Sequence, residues 1–342
     1  MNRESLSPLM IQGCTSDAGK SYLAAGFCRF YANRGIHVAP FKAQNMSNNA
    51  GVTPEGGEIG RAQLLQAQAA KIEPSVHMNP VLLKPEADSM SQVIMLGKAQ
   101  PQLKTIPWQE RKTYLWETVK ESLHRMKNDY DLLIIEGAGS PAEINLRSGD
   151  IVNMSVALEA DAQVLLTSDI DRGGAFAHLL GTWHCLANNE QERIAGFLLN
   201  KFRGDATLLG NAMQWLEGKT SIPTLGIIPM LNLPLPTEDA YSQQTDIQHS
   251  DKPEIAIIRT PYMSNFDEFD ALLNEPSVQV NFVDSIDEIG EVSAIIIPGS
   301  KHVSYDLDFL KQNGFAARLH KLTTQGVQIL GVCGGMQMLG RS

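Results

Sequence analysis

A glycine-flanked turn, Gly13-Cys14-Thr15-Ser16-Asp17-Ala18-Gly19-Lys20-Ser21, follows the apolar run Leu9 to Gln12 and opens a helix-length segment. Glycine lets the backbone approach an anion closely, and the unpaired N–H groups at the start of the helix point at it, so such a turn wraps phosphate oxygens. It works only at the carboxyl end of a strand buried in a parallel sheet, which leaves few folds open to the chain. The following sequence agrees. Val38 to Phe41, Leu132 to Ile135, Gln163 to Thr167, Gly196 to Leu199 and Thr224 to Ile228 read as buried strands separated by helix-length segments, the pattern of an α/β domain with helices on both faces of its sheet.

At 342 residues the chain exceeds what one core usually organises, so two domains are expected. The composition changes between 233 and 253, where Pro234, Pro236, Thr237, Glu238, Asp239, Ser242 and Gln243 interrupt any apolar periodicity. The expected division is a nucleotide-binding domain over 1–232, a linker over 233–253 and a second α/β domain over 254–342. In the second domain Glu254 to Ile258, Val278 to Phe282, Ala294 to Ile297 and Val327 to Leu330 read as strands. Phe266 to Leu273, Leu307 to Leu322 and Gly334 to Leu339 read as helices.

A net charge of -10 and a pI near 5.3 argue against bulk nucleic-acid binding, which needs a basic face. No apolar run approaches the roughly 18 residues that cross a bilayer. The segment ahead of Gly13 is too short for a signal peptide, so the cytoplasm is the expected compartment. Cys14, Cys28, Cys185 and Cys333 form no CxxC pair, which suggests neither a zinc site nor a disulfide framework; Cys28 and Cys185 are expected to be buried fillers.

In the glycine turn, Lys20 is placed to reach the β- and γ-phosphates of ATP and Ser21 to hold magnesium, with Gly13, Ser16, Asp17 and Gly19 completing the cradle. Five residues separate Gly13 from Gly19, one more than in the common Walker loop. Glu136, at the end of the run Leu132 to Ile135, is a candidate magnesium ligand, the alternative being a cap for the next turn. Asn200 either reads the adenine edge or simply forms a turn. Lys42, just past Phe41, either neutralises an acyl phosphate as it forms or is a solvated surface lysine. Arg61, Lys84, Arg147, Arg172 and Arg203 lie in or beside loops able to face the same rim, where guanidinium forks suit substrate carboxylates.

The carboxyl end carries a second kind of turn. Gly331-Val332-Cys333-Gly334-Gly335 links an apolar run to a helical segment, the strand–turn–helix arrangement of a nucleophile elbow. Its glycines admit a strained backbone and an approaching substrate, and the start of the helix favours a thiolate and offers N–H groups to an oxyanion. Pro298-Gly299-Ser300 is the candidate second wall of that oxyanion site. His302 and His320 both precede Cys333 and are poor candidates for its base.

The chain resembles the cobyric acid synthase family of glutamine-dependent amidotransferases of cobalamin biosynthesis. The resemblance rests on the Gly13–Ser21 loop, on Ala39-Pro40-Phe41-Lys42-Ala43-Gln44-Asn45-Met46, Gly60-Arg61-Ala62-Gln63, Asn79 to Pro85, Glu136 to Leu146, Asp169 to Gly174 and Asn200 to Asp205, and on the cysteine elbow. It implies a parallel-sheet P-loop domain of the dethiobiotin synthetase type followed by a class I glutamine amidotransferase domain. It also implies ATP and Mg²⁺ as cofactors, and glutamine and adenosylcobyrinic acid a,c-diamide as substrates. The expected reaction amidates the b, d, e and g carboxylates, with Lys42 and Cys333 as catalytic residues. The family's catalytic histidine lies beyond the cysteine elbow, so the glutaminase half is expected to be incomplete here. Neither nucleic acid nor membrane is an expected partner, and homo-oligomerisation is left open. The a,c-diamide synthase of the same pathway and a partition-type ATPase are the alternatives; the latter does not explain the cysteine elbow.

Overall fold

A computed structural model describes residues 6–87, 90–231 and 252–340. Two compact units separate, the larger built on Met1–Pro85 and Ser89–Leu233 and the smaller on Glu86–Asp88 and Pro234–Ser342. The expected linker, 233–253, lies outside the described residues apart from Lys252 and Pro253.

The larger unit is organised by a six-stranded sheet. Its spatial order is Thr224–Pro229, Ile194–Phe202, Gln163–Asp169, Leu9–Gly13, Leu132–Glu136, Val38–Phe41, with every pairing parallel. Alternation along the strands feeds two cores. Met10, Leu133 and Ile135 pack on one face, and Ile11, Leu132 and Ile134 on the other. The first face is covered by the helix Trp108–Asp129 through Leu115, Val119, Leu123 and Met126, whose spacing sets one buried stripe. The second is covered by the helices Lys20–Ala32 and Arg61–Ala70 through Ala24, Cys28 and Ala70. Because the strands are parallel, Gly13, Phe41, Glu136, Asp169 and Phe202 all end on one edge of the sheet, and the loops that follow them share that rim.

Two smaller sheets in this unit were not anticipated. Gln44–Met46, Val81–Ala87, Met90–Met95 and Lys98–Ala99 form one, and Ala50–Val52 pairs with Glu58–Gly60 in the other. Gln44–Met46, Ala50–Val52, Glu58–Gly60 and Lys98–Ala99 are short, and Val81–Ala87 is interrupted by Pro85, so they lack the unbroken apolar run that marks the central strands.

In the smaller unit Gln279–Val283, Glu254–Ile258, Ala294–Ile297 and Gln328–Gly331 form a parallel sheet in that order. Ile258, Ile295 and Ile297 face one core and Ile257 and Ile296 the other. The single helix expected over Leu307 to Leu322 is instead two, Val303–Gln312 and Phe315–Thr324. The chain turns between them at Asn313-Gly314, with Gly314 at φ +79°, a glycine break that apolar periodicity on both sides conceals. The expected helix Phe266 to Leu273 is a 3₁₀ turn, Phe266–Phe269, running into the short helix Asp270–Leu273. Among the described residues no helix is long and apolar enough to cross a membrane.

Candidate active sites

The phosphate loop leaves the strand Leu9–Gly13 and delivers Lys20 as the first residue of the helix Lys20–Ala32. Gly19 precedes that helix at φ +90°, and a Cβ there would stand 2.0 Å from Asn200 Nδ2, so both the backbone conformation and the close neighbour require glycine. Lys20 is nearly buried and donates to the carbonyls of Thr15 at 3.3 Å and Gly139 at 3.2 Å. Its ammonium is thereby held against the loop it belongs to.

Glu136 ends the strand beside the loop strand, in register with Ile11, and its side chain is fully buried. Its Oε1 accepts from Ser21 Oγ at 2.8 Å and from Lys42 Nζ at 2.9 Å, and its Oε2 accepts from Gln66 Nε2 at 2.6 Å. Lys42 is itself 4% exposed, so the pair is a buried salt bridge and not the solvated surface lysine weighed from sequence. Its backbone is anchored on both sides: the Lys42 N–H donates to Met78 O at 2.8 Å, and Asn79 Nδ2 donates to Lys42 O at 3.1 Å. Among the described residues no group of three or more His, Cys, Asp and Glu side chains gathers to hold a metal. The hard oxygens of Ser21 and Glu136 nonetheless suit magnesium, which takes one or two protein ligands and fills the rest of its shell with phosphate and water oxygens.

Gln66 was not singled out from sequence. It sits on the buried face of the helix Arg61–Ala70 with Gln63, Ala67 and Ala70. Two glutamines at positions that helical periodicity assigns to a core are the signal that could have found it.

On the other side of the loop, Asp169 Oδ2 meets Lys201 Nζ at 3.0 Å and Arg172 Nε at 3.3 Å, while Arg172 Nη2 reaches Asp17 Oδ2 at 3.2 Å. Asp17 is thus tied to the loop that follows Asp169. Asn200 donates to the carbonyl of Ala18 at 2.8 Å, bracing the phosphate loop from the next strand. Ser16 is exposed at the loop's tip. The cations expected on the rim divide. Arg172 joins the loop through Asp17, Lys84 pairs with Glu58, Arg147 with Glu190, and Arg203 with Asp171, whereas Arg61 begins the helix that carries Gln66.

In the smaller unit Cys333 stands between the strand Gln328–Gly331 and the helix Gly334–Leu339 at φ 48°, ψ -106°. A side chain rarely tolerates that backbone, and strain of this kind concentrates at functional sites. The thiol is exposed. A Cβ on Gly335 would lie 2.0 Å from Ile297 O, and one on Gly334 would lie 2.7 Å from Ser300 N, so the Pro298-Gly299-Ser300 segment packs directly against the elbow. His302 accepts from Tyr305 N at 3.3 Å through Nδ1, capping its own helix, and His320 is exposed on Phe315–Thr324. Cys14 and Cys28 are buried, unlike Cys333. Burial pushes the Cys14 thiol up to about 11 and the Cys28 thiol up to about 12. Cys185, expected to be buried, is exposed at the last turn of Ala175–Cys185, where helical periodicity turns it away from the core.

Residues 9–233 match the family model of the CobQ/CobB/MinD/ParA nucleotide binding domain, and residues 254–342 match the CobB/CobQ-like glutamine amidotransferase domain. A cobyric acid synthase of Deinococcus radiodurans is 55% identical over 341 residues, covering 97% of this chain and 71% of that protein. The chain belongs to the cobyric acid synthase family. Family members from Vibrio vulnificus and Desulfitobacterium hafniense are 47% and 48% identical, covering 98% and 99% of this chain and 70% and 68% of theirs. As a member of the cobyric acid synthase family the chain is an ATP-dependent amidoligase with a glutamine amidotransferase domain, and its function is cobyric acid synthesis. Among solved structures, signal recognition particle 54 kDa protein from Aeropyrum pernix in complex with GDP matches at 14% identity and a TM-score of 0.37, covering 66% of this chain and 42% of that one. That likeness is too loose to carry an argument.

Proposed function

We propose that the enzyme converts adenosylcobyrinic acid a,c-diamide to adenosylcobyric acid in the cytoplasm, amidating the b, d, e and g carboxylates with one ATP and one glutamine for each. The observation that carries this reading is the convergence of Lys20, Ser21, Lys42 and Glu136 at one edge of the parallel sheet, with Glu136 Oε1 accepting from both Ser21 and Lys42.

A carboxylate resists nucleophiles, so it must first be converted to an acyl phosphate. Lys20 binds the phosphates of ATP, aided by the N–H groups of the Gly13–Ser21 loop, while Asn200 and Arg172 brace that loop through Ala18 and Asp17. Ser21 and Glu136 are the residues that would hold magnesium, which supplies charge neutralisation on the phosphates when bound. Lys42 neutralises the substrate carboxylate and its acyl phosphate as charge shifts. At the second site the Cys333 thiolate attacks the glutamine carboxamide. The tetrahedral oxyanion so formed is met by N–H groups of the elbow and of the Pro298–Ser300 segment, and its collapse, with a proton delivered to the leaving nitrogen, releases ammonia and leaves a thioester that water hydrolyses to glutamate. Ammonia then displaces phosphate from the activated carboxyl group to give the amide. The test supplies the purified chain with ATP, Mg²⁺ and the corrinoid a,c-diamide, with glutamine or ammonium as the nitrogen source, and follows the corrinoid by mass spectrometry. Successive acid-to-amide mass shifts support the reading, and an unaltered corrinoid with both nitrogen sources refutes it.

A further inference from the structure

Asn79 is 1% exposed, and its side chain bonds backbone groups on three different segments. Its Nδ2 donates to Lys42 O at 3.1 Å and to Val81 O at 2.9 Å, and its Oδ1 accepts from Gly60 N at 3.0 Å. Carbonyls only accept and an N–H only donates, so these partners fix which end of the amide is which. The sheet does not hold Lys42 in place, because the last pairing of its strand is Phe41 with Ile135, one residue earlier. The Lys42 backbone is held instead by the Met78–Asn79 pair, which takes its N–H through Met78 O and its C=O through the Asn79 amide.

Two of the three segments bring side chains to the same carboxylate. Lys42 Nζ meets Glu136 Oε1 at 2.9 Å, and Gln66, on the helix that Gly60 precedes, donates to Oε2 at 2.6 Å. Asn79 thus ties together, at the backbone, the loop that delivers the ammonium and the helix that delivers the carboxamide. A second tie runs alongside, from Asn45 Nδ2 to Gln63 Oε1 at 3.0 Å, both buried. Gly60 lets loop and helix come this close: a Cβ there would stand 2.4 Å from Asn45 Nδ2 and 2.7 Å from Gln63 Oε1. We propose that Asn79 is a positioning residue for the amidation. By spanning Lys42 and Gly60 it sets the spacing between Lys42 and the Gln66 helix, and so holds the Lys42 ammonium at the sheet edge where the substrate carboxylate is activated. That role depends on the proposed reading of Lys42 as the group that neutralises this carboxylate. Removing the amide would leave two carbonyls and an N–H unpaired in the interior, and the loop would shift to find other partners.

The experiment measures ammonia-dependent amidation by corrinoid mass in the full chain, for the parent, Asn79→Leu, Lys42→Ala and the double variant. Misplacing a reacting group by about 1 Å costs about a hundredfold, and a fall of that order in kcat is expected for Asn79→Leu. Because Asn79 acts through Lys42, the double variant is expected to lie within about threefold of Lys42→Ala alone. Asn79→Asp, which keeps an acceptor for the Gly60 N–H and donates to neither carbonyl, carries the same expectation should the leucine variant fail to fold. Lysine acetylation by acetic anhydride, read by peptide mass spectrometry, reports the placement of Lys42 without turnover. Labelling of Lys42 is expected to rise about tenfold in Asn79→Leu, with Lys20 labelled as in the parent. A parent-like rate in Asn79→Leu, losses that multiply in the double variant, or labelling that rises equally at Lys20 and Lys42 overturns the positioning role. A Lys42→Ala variant as active as the parent overturns instead the reading of Lys42 on which that role depends.

Discussion

At the scale of single residues, strain and buried charge fall at the positions to which the proposed reaction assigns its chemistry. Gly19 combines a left-handed backbone with a close neighbour in Asn200. Gly19→Ala is expected to cost about 1–2 kcal/mol for the backbone alone, and more from the clash, and to abolish binding of the ATP analogue; denaturant unfolding and calorimetry read the two effects separately. Cys333 carries a strained backbone and an exposed thiol, so Cys333→Ala is expected to remove whatever glutamine-dependent amidation the chain supports while leaving the ammonia-dependent reaction unaltered. Equal loss of both activities would refute a role confined to ammonia release. Lys20, Ser21 and Glu136 were legible as candidates because phosphate chemistry demands particular residue types after a strand. Gln66 was not singled out: its place on the core-facing stripe of Arg61–Ala70 marks it as a buried polar group, but the carboxylate it meets is distant in sequence. Lys42 was legible in position, but its partner was not: Lys42 and Glu136 are distant in sequence and only strand order brings them together.

At the scale of elements, the central strands were readable because burial on both faces of a parallel sheet demands unbroken apolar runs. The added strands Gln44–Met46 and Val81–Ala87 escaped because they are short or interrupted, and their pairing is set by the tertiary fold. The 3₁₀ turn Val76–Met78 is one of these context-dependent pieces, and it anchors Lys42 through Met78 O. Its His77 has a pKa lowered from 6.5, first by burial and then by Arg125, and its Nδ1 lies 3.1 Å from Ser122 Oγ. A histidine kept neutral by the fold contributes its full stability above the unfolded pKa, and that contribution falls as pH drops below about 6.5 toward the lowered folded value. Urea midpoints measured between pH 7.5 and 5 are therefore expected to fall more steeply for the parent chain than for His77→Gln. Equal slopes would contradict the role assigned to burial of His77.

At the scale of the whole molecule, two α/β units each end their parallel strands in a loop to which the proposed reaction assigns one half of an amidation. One carries the Gly13–Ser21 loop beside the buried Glu136, the other a strained cysteine elbow, and the proposed reaction draws on both. The composition change after Leu233 is the sequence feature on which the expected division rests, because breakers there interrupt any apolar periodicity. The most direct measurement of the central claim supplies ATP, Mg²⁺, ammonium and the corrinoid a,c-diamide to the parent chain and to Lys20→Ala, and follows corrinoid mass against phosphate released. The account predicts up to four successive acid-to-amide shifts with the parent chain, one phosphate released for each, and none with Lys20→Ala. Phosphate release without any change in corrinoid mass, or amidation that persists in Lys20→Ala, would contradict it.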